Sequence, residues 1–110
     1  MVAVLRKQGA SDGLLEVGCG ALCNMCCSVE NQQAALKEGA IGTVVAALRK
    51  QGASDGLLAA GCWAFCNLCR SVEENRKKAK RAGCKVALTA IQLRASGVLR
   101  TAVRDAWSSI

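Results

Sequence analysis

Residues 4–15 read VLRKQGASDGLL, and residues 47–58 read ALRKQGASDGLL, the same stretch 43 positions later (47 − 4 = 43). Set residue for residue, 2–30 and 45–73 agree at 22 of 29 positions. A period of this size marks an array of similar supersecondary units, none of which can bury its apolar face alone. A third copy is weaker, and its offset grows to 44 as if one residue had been inserted. At that offset Glu30-Asn31 reappears as Glu74-Asn75, and Gly39-Ala40 as Gly83-Cys84.

Each unit divides into three helical pieces, in the central unit 30–38, 41–51 and 55–71. Gly39 sits where a tight turn wants a residue without Cβ, and Gly52 closes the second piece. Ser54-Asp55 offers a side-chain oxygen to the first free amides of the long third helix, and Ser11-Asp12 does so one repeat earlier. The third helix is amphipathic at the 3.6 period. Leu15, Cys19, Leu22, Cys23 and Cys26 form one stripe, and Leu58, Cys62, Phe65, Cys66 and Cys69 its copy. The expected third stripe is Leu99, Val103, Ala106, Trp107 and Ile110. Such stripes predict neighbouring units that stack and share one core.

Composition agrees with an all-α chain. Hydrophobic residues make up 52% of the 110, yet there is one phenylalanine, two tryptophans and no tyrosine. The core is therefore built from Leu, Val, Ala and Cys, which pack helix on helix at close range. Proline is absent, so no helix is broken by a missing donor. The formal charge of +7, from 15 Lys and Arg against 8 Asp and Glu, favours acidic partners. With no histidine the chain lacks the usual general base and the commonest metal ligand. No convergent catalytic set stands out, so the expectation is a non-enzyme without cofactor or metal. No apolar run of about 20 residues marks a membrane span. The cytoplasm is the expected location, with the nucleus left open, and the thiols are expected to stay reduced.

A short helix, a longer one and a third, with a Gly-Ala-Ile turn between the first two, resembles the armadillo repeat. The segment ENQQAALKEGAIGTVVAALRKQ (30–51) followed by LLAAGCWAFCNLCRS (57–71) carries the resemblance. It covers a partial unit (1–28), a full unit (29–71) and a divergent last unit (72–110), where Gly83-Cys84-Lys85 replaces Gly-Ala-Ile. The implied fold is a right-handed α-solenoid of about two and a half units in one domain. HEAT-type units are the alternative, but lack the short first helix and this turn.

The resemblance also implies a function. Third helices of armadillo proteins line a concave groove that binds extended segments, so the chain is expected to be a noncatalytic protein-interaction module or small scaffold subunit. Residues about 100° around each third helix from its core stripe would face that groove. They are Glu16, Gly20, Asn24 and Cys27; Ala59, Trp63, Asn67 and Arg70; and Arg100, Arg104 and Ser108. Trp63 and Asn67 match the Trp-x-x-x-Asn pattern of the importin-α branch, in which Asn fixes a peptide backbone and Trp walls a slot for a Lys stem. Only one full copy exists, and Arg70, Arg100 and Arg104 have the wrong sign for a basic cargo. Alternatively, the asparagines satisfy local backbone groups and Trp63 packs on the next repeat.

The triplets Cys19-x-x-x-Cys23-x-x-Cys26 and Cys62-x-x-x-Cys66-x-x-Cys69 match a spacing used for iron–sulfur clusters, which makes a redox protein a low-ranking alternative. Four-and-three spacing is also the helix's own period, and buried Cys acts as a small hydrophobe. Cys27 is the expected accessible thiol. Arg76, Lys77, Lys78, Lys80, Arg81 and Lys85 fall within ten residues that contain no acid. They read either as a solvated helix face or as a patch for an acidic protein or polyanion such as RNA. Nucleic acid is disfavoured, because no stacking aromatics interleave the charges.

The first unit begins at its second helix, which leaves apolar surface at Val2, Val4 and Leu5 to be covered by a partner or preceding repeats. Arg94, Arg100, Arg104 and Asp105 make the other end more polar. The isolated chain is accordingly expected to be weakly stable or self-associating. A sharp, cooperative, monomeric melt at low concentration would count against that.

Overall fold

Seven helices and no strand make up the regular structure of the described residues: α1 (Asp12–Met25), α2 (Val29–Lys37), α3 (Ala40–Leu48), α4 (Asp55–Cys69), α5 (Glu73–Arg81), α6 (Cys84–Arg94) and α7 (Gly97–Ser108). The structure is a computed structural model that describes residues 11–50 and 52–110. The apolar surface expected at Val2, Val4 and Leu5 lies outside the described residues.

The central pieces read from the sequence correspond to α2, α3 and α4. The second ends earlier than expected, because its chain tightens ahead of Gly52. The Arg49 N–H reaches both Val45 O and Ala46 O, and the Lys50 N–H reaches Ala47 O at 3.2 Å, the three-residue turn of a closing helix. Ser11 Oγ accepts from the Leu14 N–H at 3.1 Å and Ser54 Oγ from the Leu57 N–H at 3.2 Å, so both expected N-caps are formed. Gly39 (φ 78°) turns α2 into α3, and Gly83 (φ 90°) turns α5 into α6. The divergent Gly83-Cys84-Lys85 therefore keeps the left-handed turn that only glycine adopts cheaply. Cys84 and its counterpart Ala40 are both fully buried, which requires a small side chain there.

Counterpart helices pack on one another. α1 lies against α4 and α4 against α7; α3 also meets α6, and α2 meets α5. The core runs between these rows. Leu15, Cys19, Leu22 and Cys26 of α1 are buried, as are Ile41, Val44, Val45 and Leu48 of α3. α4 is enclosed on nearly every side, with Leu57, Leu58, Cys62, Phe65, Leu68 and Cys69 at 2% exposure or less.

Two sets of polar ties recur with the repeat. Asn31 Nδ2 donates to Met25 O at 2.6 Å. One unit on, Asn75 Nδ2 donates to Leu68 O at 2.6 Å and to Gln32 O at 3.2 Å. The next residue repeats the arrangement, with Gln32 Nε2 on Cys26 O at 3.1 Å and Arg76 Nη1 on Cys69 O at 2.8 Å. Each first helix thus closes the carbonyls left open at the end of the preceding third helix. The second set starts from Asp12, whose carboxylate accepts from the Ser54 N–H at 2.8 Å and pairs with Lys50. Lys50 corresponds to Arg94 (94 − 50 = 44), and Arg94 lies 3.7 Å from Asp55 and donates to Ala53 O at 3.0 Å.

Asn75 is fully buried, whereas Asn31 is exposed. Asn75→Ala is expected to lower stability by about 2 kcal/mol, since it strips a donor from two carbonyls shut off from water. Asn31→Ala should cost less, because water can replace the lost donor. Urea titration of both variants measures the difference.

Candidate interaction groove

Trp63 projects from α4 beside two adjoining clefts. One, of about 350 Å³, is bounded by Glu16 on α1, Asp55, Gly56 and Ala59 on α4, and Val98 on α7. The other, of about 290 Å³, is bounded by Cys23, Asn67 and Arg70 together with Asp105, Ser108 and Ser109 of α7. Three stacked third helices supply these walls. The indole is 40% exposed, although most of α4 is buried. The Glu16 carboxylate lies over Gly56 at the start of α4, where a Cβ would stand 2.8 Å from its oxygens.

Asn67 is buried and already committed. Its Nδ2 donates to Cys23 O at 2.6 Å, tying α4 to α1, and its Oδ1 accepts from Arg70 Nη2 at 2.8 Å. The alternative in which this asparagine satisfies local groups describes these contacts. Arg70 is an exposed residue whose guanidinium rests on Asn67 Oδ1. Asn24 and Glu16 are exposed on α1. The exposed Cys27 Sγ lies 3.3 Å from Asn24 O.

Arg100 and Arg104 do not join Trp63. They border a separate depression of about 380 Å³ with Gln92, Ala95, Val103 and Trp107. The groove positions expected on the last helix are off by one residue. Two residues (95–96) connect α6 to α7, where six (49–54) connect α3 to α4. Ser96 takes the N-cap place of Ser54, an offset of 42 (96 − 54), whereas the expected stripe assumed 41 (99 − 58). Leu99, Val103 and Ala106 are buried as expected, but Ala102 joins them, and Trp107 and Ile110 are only partly buried. At an offset of 42 the counterparts of Trp63 and Asn67 are Asp105 and Ser109, and both border the Trp63 clefts, where Ser108 lies as expected.

The correction changes the electrostatics. Glu16, Asp55 and Asp105 edge the clefts beside Trp63, and Arg70 is the cation among the residues named there. An indole face with nearby carboxylates can hold an alkylammonium or guanidinium side chain through cation–π attraction and charge. Asp105 was legible as an acid near the C-terminus, but only the packing of α7 on α4 shows that it borders the Trp63 cleft.

The basic run is divided between elements. Arg76 is spent on Cys69 O and, at 3.3 Å, Arg70 O. Lys77 lies 4.0 Å from Glu74, Lys78 is half-buried and borders a cavity that Leu15 and Lys50 also line, and Lys85 belongs to α6. Lys77, Lys80, Arg81 and Lys85 remain exposed.

Both cysteine triplets face largely inward. Burial pushes the Cys19 thiol up to about 11 and the Cys62 and Cys69 thiols up to about 12. Cys27 is the exposed cysteine. Alkylation of the native protein at pH 8 should therefore modify Cys27 first, and Cys19, Cys62 and Cys69 only on unfolding. Because folding favours the neutral thiols, their contribution is complete below the ordinary value of 9.0 and is lost as pH rises toward 11–12. Thermal melts between pH 7 and 11 should show that alkaline decline. No protein-family model matches the chain, and no curated protein matches it.

Proposed function

We propose that this chain is a noncatalytic interaction module of the armadillo type, an α-solenoid of stacked three-helix units that holds an extended segment of another protein across its third helices. The observation that carries the reading is the exposed Trp63 between two clefts edged by Glu16, Asp55 and Asp105. A half-exposed indole on a helix whose other side chains are mostly buried is an anchor available to a partner. The acidic edge selects a segment with a Lys or Arg side chain at that point, despite the net positive charge of the whole chain. Asn67, tied to Cys23 O and Arg70, positions the wall; the contact with partner falls to Trp63, Glu16, Asp105 and the exposed Asn24.

The counterpart packing of α1 on α4 and α4 on α7, together with the Gly39 and Gly83 turns, supports the armadillo-type unit. The exposed cations Lys77, Lys80, Arg81 and Lys85 support a second reading, in which that surface meets an acidic protein or polyanion.

Co-purification of the tagged chain from its native cells, followed by mass spectrometry, tests the main reading. A stoichiometric protein partner is expected, with affinity reduced at least ~10-fold by Trp63→Ala and by Asp105→Arg, and little changed by Arg100→Ala. Retention of the partner by Trp63→Ala and its loss on neutralising Lys77, Lys80 and Arg81 would move the binding surface to the basic side. Recovery of nucleic acid in its place would overturn the protein-binding assignment.

A further inference from the structure

We infer that the face of α1 formed by Leu14, Val17, Ala21, Met25 and Val29, the last just beyond its end, docks one further unit of this same repeat. The inference rests on the stacked-unit reading above and is independent of what the Trp63 groove binds. Its basis is a comparison of the chain with itself. At an offset of 43 these five residues correspond to Leu57, Ala60, Ala64, Leu68 and Val72. In the second unit all five are buried, at 0%, 9%, 0%, 0% and 8% exposure. In the first unit Leu14, Val17, Met25 and Val29 are 41%, 71%, 52% and 47% exposed, and Ala21 is half-buried. The side chains are the same or equally apolar; what differs is the neighbour. α4 has α1 packed along it, and α1 brings Leu15, Cys19, Leu22 and Cys26 into the shared core.

The occupant follows from that interface. A helix carrying the stripe Leu-x-x-x-Cys-x-x-Leu-x-x-x-Cys is what the corresponding face already accepts, so a further unit extends an existing contact. A second copy stacked head to tail does not fit. Its opposite end would offer Lys85, Thr89, Gln92, Arg100 and Arg104, exposed at positions where the middle unit has the buried Ile41, Val45, Leu48, Leu58 and Cys62. Setting arginines against Leu14 and Val17 would bury charge without partners. An α1-to-α1 pairing of two copies would instead make the original chain a dimer through this face.

The repeat supplies its own test. Residue 45 corresponds to residue 2, so inserting a second copy of residues 2–44 ahead of residue 2 of the full chain adds one unit in register. The lengthened chain is expected to melt at least ~5 °C higher. Amides of its inner α1 should exchange at least ~10-fold more slowly than those of α1 in the original chain. Val17→Asp should shift the melting temperature of the original chain by less than ~1 °C. At the inner copy it should remove most of the gain, and Val17→Ala should keep it. An unchanged or lower melting temperature with unaltered exchange would overturn the inference. So would a stable dimer of the original chain, seen by sedimentation and dissociated by Val17→Asp. Either result leaves the Trp63 groove untouched, whereas loss of partner binding by Trp63→Ala alone leaves this face untouched.

Discussion

α4 buries twelve of its fifteen residues, and the rest of the structure is arranged around that enclosure. A helix covered on most of its circumference has neighbours on several sides and must let their backbones come close. Small side chains make this possible: Ala59, Ala60, Gly61, Cys62 and Ala64 run along it, and a Cβ on Gly61 would stand 2.9 Å from Leu48 Cδ2. The scarcity of aromatic residues and the abundance of cysteine have the same origin. Phe65 is fully buried, and Trp63 is the large side chain of α4 that has nowhere inward to go. The exposed anchor is thus a consequence of the packed helix around it.

Polar ties set where the packed helices sit relative to one another. Asn75 and Arg76 close the end of α4, Asn31 and Gln32 close the end of α1, and Asn67 joins α4 to α1 through Cys23 O. Hydrophobic contact is non-directional and tolerates sliding, whereas a carboxamide on a particular carbonyl does not. The groove inherits part of its geometry from these bonds, because Trp63 and Glu16 come from helices that they join, whereas Asp105 is placed by the packing of α7 on α4. The price is that Asn67 and Arg76, attractive as contact residues in a sequence, are occupied inside the protein.

The two ends of the helix stack differ in chemistry. Lys85, Gln92, Arg100 and Arg104 make one side polar at positions where the middle unit has aliphatic or thiol side chains. The α1 side keeps its apolar residues. Polar terminal faces keep stacked helical units from further association, and α6 and α7 carry such charges together with the exposed Val86, Leu93 and Val98.

Much of this was legible in the sequence. The 43-residue identity announced repeated helical units, Ser11 and Ser54 announced two helix starts, and Gly39 and Gly83 announced two turns, because period, capping and left-handed backbone are local properties with local residue signals. The stripes of α1 and α4 followed from the 3.6 period for the same reason. The tertiary structure alone decided which way α7 faces. The counterparts of Trp63 and Asn67 fall 42 positions on, at Asp105 and Ser109, one residue past the 41 that the stripe implied, so Asp105 borders the Trp63 cleft while Arg100 and Arg104 border a separate depression. It also decided that identical residues in the first and second units live in different surroundings. Burial is a property of neighbours, and a residue's own sequence context carries only the need for them.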